Sequence, residues 1–160
     1  ENHPDTLNCM NNLASLYYSQ GDYGKALVFF EECLRIRKVV SGENHPNTLS
    51  SMHNLATLCY SQGNYGKALP LYEECLRLRK AVLGETNPET LATMNGLATL
   101  CYTQGEYDKA LLLFEECLRL RKAVLGDNHP DTLSSLKNLT ILYVNQGQDK
   151  VLPVLQNTPK

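Results

Sequence analysis

Six cysteines and four histidines are the residues best equipped for metal or nucleophilic chemistry, so their spacing comes first. Cys33, Cys75 and Cys117 stand 42 residues apart, Cys59 and Cys101 share a second slot at the same interval, and Cys9 stands alone. No CxxC pair or cysteine/histidine cluster with zinc spacing occurs, so no metal site is expected. Equivalent cysteines of stacked units would lie roughly 8–10 Å apart or more, beyond the roughly 7 Å Cα limit of a disulfide. They are expected to be small, buried, apolar side chains in a reducing compartment, with the cytoplasm as the default. His3, His45 and His129 each precede a proline, which marks helix entry rather than ligation. His53 stands by itself. There is no phosphate loop, no nucleophile elbow and no carboxylate pair at fixed spacing, so neither enzyme activity nor a cofactor is expected.

The interval of 42 residues is a property of the whole chain. The string LRLRKAVLG ends at Gly84 and again at Gly126, and its near copy LRIRKVVSG ends at Gly42. The copies therefore run 1–42, 43–84, 85–126 and a truncated 127–160. A period of this size is the mark of a repeat array, in which each unit buries its faces against its neighbours.

Within the second copy, Leu49, Met52, Leu55, Ala56, Cys59 and Tyr60 follow the spacing of one helical face. This predicts a first helix, A, from Pro46 to Gln62, with Asn44 or His45 near its cap and Gly63 ending it. A second amphipathic run predicts helix B from Tyr65 to Leu83, closed by Gly84. The two- or three-residue connection makes A and B antiparallel neighbours. Pro70, where the other copies have Val28 and Leu112, is expected to weaken or bend the first turns of B. Glu31 with Arg35, Glu73 with Arg77 and Glu115 with Arg119 are placed to pair at i,i+4 on a solvated face.

Bulk properties remove other classes of function. With 15 basic and 17 acidic residues the chain has a formal charge of -2, which offers no general attraction to nucleic acid or anionic membranes. No apolar run approaches the ~18 residues of a membrane span, and the start does not read as a secretory signal. The chain begins in phase with the repeat and without methionine, as a piece of a longer array would.

Leu55-Ala56, Gly63, Tyr65, Ala68, Tyr72 and Cys75 are spaced as the signature positions of a tetratricopeptide repeat. The pattern recurs as Leu13-Ala14, Gly21, Tyr23, Ala26, Phe30, Cys33 and as Leu97-Ala98, Gly105, Tyr107, Ala110, Phe114, Cys117. With the HPDT openings, the NNLA run and the 42-residue unit, the chain resembles tetratricopeptide arrays of the kinesin light chain and nephrocystin-3 type. The resemblance implies an all-α, right-handed α-solenoid of antiparallel helix pairs, about three and a half repeats long. It also implies a concave wall of A helices that binds a peptide segment of a partner protein. Carried over slot by slot, the groove residues are Asn11, Asn12, Ser15, Tyr18, His53, Asn54, Thr57, Tyr60, Asn95, Thr99, Tyr102 and Asn138. These are polar and uncharged, with a tyrosine ladder, which suits recognition of a peptide backbone and not a carboxylate clamp.

Two alternatives accompany that expectation. Asn11, Asn12, Asn54, Asn95 and Asn138 could instead cap or bridge neighbouring helices. The chain could also be a structural spacer or self-assembly segment of a larger protein, with no peptide ligand. The fourth copy loses the tyrosine of its turn, between Gln148 and Lys150. Open ends of an array expose apolar faces. Leu7 and Met10 at the start, with Leu139 and Leu142 at the end, are expected to form such faces and to permit end-to-end association.

Overall fold

The computed structural model describes residues 4–146, among which seven α-helices and no strands occur. His3 and the altered turn of the fourth copy, residues 147–153, lie outside the described residues. The chain divides into two compact units, Glu1–Glu85 and Thr86–Lys160, and the division falls between the second and third copies. The first unit contains α1 (Pro4–Ser19), α2 (Tyr23–Val40), α3 (Pro46–Ser61) and α4 (Tyr65–Leu83). The second contains α5 (Pro88–Thr103), α6 (Tyr107–Leu125) and α7 (Pro130–Asn145). Odd-numbered helices are A helices and even-numbered ones are B.

Local chemistry sets these boundaries. At the entry to α3, Pro46 occupies the first turn and His45 is the N-cap, its Nδ1 accepting from the Asn47 N–H at 3.1 Å. His129 caps α7 in the same way at 3.2 Å, and Asn87 caps α5 through Oδ1 at 2.9 Å. The recurrent pre-proline residues are thus caps, as expected for His45 and His129. At the exit from α3, Gly63 has φ +74°, and the Gly63 and Asn64 N–H groups bond to the Tyr60 and Cys59 carbonyls at 2.9 Å each. That is a Schellman closure, which needs a residue free to enter the left-handed region.

In the first unit α2 packs against both α1 and α3; in the second α6 packs against both α5 and α7. Leu49, Ala56, Leu58, Ala68 and Cys75 are buried in one unit, and Ala98, Ala110, Cys117, Leu139 and Leu142 in the other. A fully buried leucine contributes roughly 1.5–3 kcal/mol, while the alanines and cysteines let helices approach closely. The buried thiols also donate: Cys33 Sγ to the Leu7 carbonyl at 3.4 Å, Cys75 to Leu49 at 3.3 Å and Cys117 to Leu91 at 3.5 Å.

The LRLR string divides its two arginines between opposite helix faces, because two residues turn a helix by about 200°. Arg35 points outward and grips Glu32 through two bonds, at 2.6 and 2.8 Å. Arg37 is only 4% exposed and donates to the Asn47 carbonyl at 2.8 Å, Ser51 Oγ at 2.7 Å and Asn8 Oδ1 at 2.7 Å. Arg121 repeats this in the second unit, bonding the Asp131 carbonyl and Ser135 Oγ. The second arginine of the repeated string is therefore a bolt between α2 and α3 in the first unit and between α6 and α7 in the second.

Several expectations are corrected. The surface arginines pair at i,i+3, Arg35 with Glu32, Arg77 with Glu74 and Arg119 with Glu116, and not with Glu31, Glu73 and Glu115. The neighbouring glutamates are turned toward the next hairpin: Glu31 pairs with Lys67, and Glu115 accepts from the Tyr143 hydroxyl. Helix α4 continues through Pro70, whose side chain faces solvent. Cys9 is exposed, unlike the other five cysteines. Leu7, Leu139 and Leu142 are buried, because those slots face the helix of the same hairpin or the preceding B helix. The open face of α1 is formed instead by Leu13 and Leu16, the latter 52% exposed.

Candidate functional site

Each unit carries a cleft on its A helices, and the two clefts use the same five slots of the repeat. In the first unit the lining is Ser15, Tyr18, Phe30, Asn54 and Thr57. In the second it is Thr99, Tyr102, Phe114, Asn138 and Ile141, and both clefts are open to solvent. Every lining residue of the second cleft lies 84 residues after its counterpart in the first. Phe30 and Phe114, buried residues of α2 and α6, supply an apolar floor; signature spacing had marked them as packing residues only.

Hydrogen bonds hold the polar walls. Asn54 Nδ2 donates to Asn11 Oδ1 at 3.2 Å, and Asn138 Nδ2 donates to Asn95 Oδ1 at the same distance. These amides therefore bridge neighbouring A helices, and each pair still leaves the donor residue's Oδ1 open. Tyr18 OH lies 2.8 Å from Ser61 Oγ, and Tyr102 OH accepts from Asn145 Nδ2. The tyrosine rings also pack on the first residue of the following helix B, Tyr18 on Tyr23 and Tyr102 on Tyr107, with centroids 5.6 and 5.8 Å apart. A ring fixed at both edge and hydroxyl presents area with little rotamer freedom left to lose.

Hydroxyl groups follow a common rule. Ser15 Oγ donates to the Asn11 carbonyl at 3.0 Å, Thr57 Oγ1 to His53 at 3.0 Å and Thr99 Oγ1 to Asn95 at 2.9 Å. A carbonyl can only accept, so in each case the hydroxyl proton is committed and its lone pairs face outward. Thr57 Oγ1 also lies 2.9 Å from the Tyr72 hydroxyl, which must therefore be the donor.

His53 is half-buried beside this cleft, its ring edge-on to Tyr72 with centroids 5.7 Å apart. Desolvation, followed by the Arg79 charge, pulls its pKa down to about 4, so it is neutral near pH 7. Burial pushes the Tyr72 hydroxyl up to about 12. Neither group is tuned toward neutral-pH acid–base work. No cluster of three or more metal-ligating side chains occurs among the described residues.

Of the expected groove residues, Ser15, Tyr18, Asn54 and Thr57 meet in one cleft, and Thr99, Tyr102 and Asn138 in the other. Asn11, Asn95 and His53 stand behind them as hydrogen-bond supports. Asn12 is exposed, Tyr60 packs on Tyr65 at 5.7 Å, and neither lines these two clefts. Tyr72 and Ile141 complete the local chemistry. Tyr72 had been read only as a signature position of helix B.

A family model described as tetratricopeptide repeat matches residues 6–81 and 62–123. The chain belongs to the tetratricopeptide repeat family. Its fold class, an all-α solenoid of helix pairs, is shared with solved structures of that kind. A variant of the nearly identical TPR-like repeats of a candidate kinesin light chain from Podosopora anserina is 26% identical, covering 96% of this chain and 73% of that one, with a TM-score of 0.87. BtubC (BKLC) of P. vanneervenii is 25% identical over 94% of this chain and 60% of its own, with a TM-score of 0.85. Apo RapI, at 15% identity and a TM-score of 0.83 over 98% of this chain and 55% of that one, shares the fold. The array is thus of the kinesin light chain-like type. No curated protein sequence gives a significant match. Tetratricopeptide repeats typically bind protein partners. No helix among the described residues is long and apolar enough to cross a membrane.

Proposed function

We propose that this tetratricopeptide array is a protein-interaction scaffold that holds a peptide segment of a partner against its A helices. The observation that carries the reading is the recurrence of one cleft in both units, with an aromatic floor, a fixed tyrosine and an amide at matching slots. An asparagine amide offers donor and acceptor to a peptide backbone, and an immobilised tyrosine offers contact area at low entropic cost. The clefts contain no charged side chain, so the partner segment is neutral where it contacts them. Five buried free thiols support a reducing, cytoplasmic setting.

The test is selection of binding peptides from a random phage-displayed library on the intact chain, followed by affinity measurement on Tyr18→Ala and Tyr102→Ala. These variants should lose binding while circular dichroism stays native. A chain that serves only as a spacer or self-assembly segment gives no peptide whose binding depends on either tyrosine.

A further inference from the structure

The two clefts match at four slots in chemical type and part at the fifth, where Thr57 in one becomes Ile141 in the other. In the first cleft Thr57 gives its proton to the His53 carbonyl and receives one from Tyr72, which leaves one lone pair for a further donor. Ser15 has likewise spent its proton on the Asn11 carbonyl, and Asn54 has spent one N–H on Asn11, leaving its Oδ1 and its second N–H. Three acceptors therefore belong to the lining of this cleft, with no anionic group among them. Thr57 is the one without a counterpart in the second cleft: a ligand side chain that donates a hydrogen bond satisfies it, an apolar one leaves it desolvated and unpaired, and an ammonium group finds no counter-charge.

In the second cleft the wall at the Thr57 slot is aliphatic. Thr99 and Asn138 keep the acceptors that Ser15 and Asn54 have in the first cleft, and a peptide backbone can meet these in either; the clefts differ at Ile141, which is 41% exposed and has no hydroxyl for a ligand side chain to meet. With Phe114 behind it, a branched aliphatic side chain gains burial there.

Resting on the peptide-binding reading above, we infer that the two clefts have different side-chain specificities: the Ser15–Thr57 cleft takes a neutral hydrogen-bond donor, a carboxamide or hydroxyl, and the Thr99–Ile141 cleft a branched aliphatic group. One position of the repeat thus sets which kind of side chain each cleft reads.

The experiment repeats the phage selection on the wild-type chain, Thr57→Val, Thr57→Ser and Ile141→Thr, each checked for an unchanged urea midpoint. Synthetic versions of the selected peptides are then measured by calorimetry. Wild type should enrich peptides bearing an amide or hydroxyl residue, whose binding Tyr18→Ala abolishes, and peptides bearing an aliphatic residue, whose binding Tyr102→Ala abolishes. Thr57→Val should weaken the amide- or hydroxyl-bearing peptide roughly tenfold and shift that position to aliphatic, while Thr57→Ser keeps wild-type preference. Ile141→Thr should shift the other position toward polar residues. If all four proteins enrich the same peptides, and Tyr18→Ala and Tyr102→Ala still abolish binding, the specificity assignment is overturned and the groove stands. If no peptide is enriched, or the enriched ones bind the tyrosine variants undiminished, both readings fall.

Discussion

Asn54 reaches across 3.2 Å to Asn11 on the neighbouring A helix, and 84 residues later Asn138 does the same to Asn95. The asparagines therefore bridge neighbouring A helices, as the structural alternative expected: one N–H and one carbonyl tie the wall together, while the rest of each donor amide stays available to the proposed peptide. Double-mutant cycles separate the two. Asn11→Ala and Asn54→Ala should each cost about 1 kcal/mol of stability, and the double variant should cost less than their sum by about 0.5–1 kcal/mol. Strict additivity in urea denaturation would show that the pair does not form.

The two arginines of the LRIR string give a sharper contrast. Arg37→Met removes three hydrogen bonds from a buried site and leaves Ser51 Oγ, itself fully buried, without its charged donor. The expected loss is about 2–4 kcal/mol. Arg35→Met breaks a two-point pair with Glu32, but both partners are exposed to solvent, which screens the pair, and the urea midpoint should hardly move. Equal losses in the same denaturation experiment would refute the assignment of one arginine as a bolt.

How much of this was legible in the chain depends on the kind of signal. Helix limits were readable because prolines and glycines punctuate them: Tyr65–Leu83 is both the expected and the observed extent of α4. Face assignment was less readable, since an A helix carries apolar residues on two faces. Leu7 and Leu13 look alike in the string, yet Leu7 meets its own hairpin, whereas Leu13 stands where a preceding B helix would pack. The Glu-Glu doublets offered i,i+3 and i,i+4 partners equally, and only the direction of the next hairpin decides between them. For the cleft, the tyrosines and asparagines were readable by slot, and so was Ile141, which shares the slot of Thr57 and Thr99, but Phe30 was not, because it was indistinguishable from core.

His53 makes stability depend on pH in a defined window. Its folded pKa, about 4, lies below the usual value of 6.5, so the unfolded chain binds the proton more tightly. Stability contributed by neutral His53 is complete above about pH 6.5 and declines as pH falls toward 4. By pH 5 the loss reaches about 2 kcal/mol on this shift. His53→Asn, the residue type found at the same slot in Asn11 and Asn95, should remove that part of the pH dependence. Identical slopes for variant and wild type between pH 7 and 5 would show that His53 is not held neutral.

Leu16 and Leu58 occupy the same slot of successive copies, one half exposed and the other with none of its surface in contact with solvent. The difference is the helix that packs in front: α2 covers α3, and among the described residues nothing precedes α1. Leu58→Ala should therefore cost about 2–5 kcal/mol, while Leu16→Ala should stay within about 0.5 kcal/mol. The exposed leucine matters in a different way. Together with Leu13 it forms an apolar face of the shape that elsewhere in the chain receives a B helix, so it is the place where end-to-end association would occur. Light scattering over a wide concentration series should show a rise in mean mass for the wild-type chain that Leu16→Glu removes, with the helical circular dichroism of the two proteins the same. A mass that rises equally in both would place the contact elsewhere, and a mass that never rises would mean that this face stays open in solution.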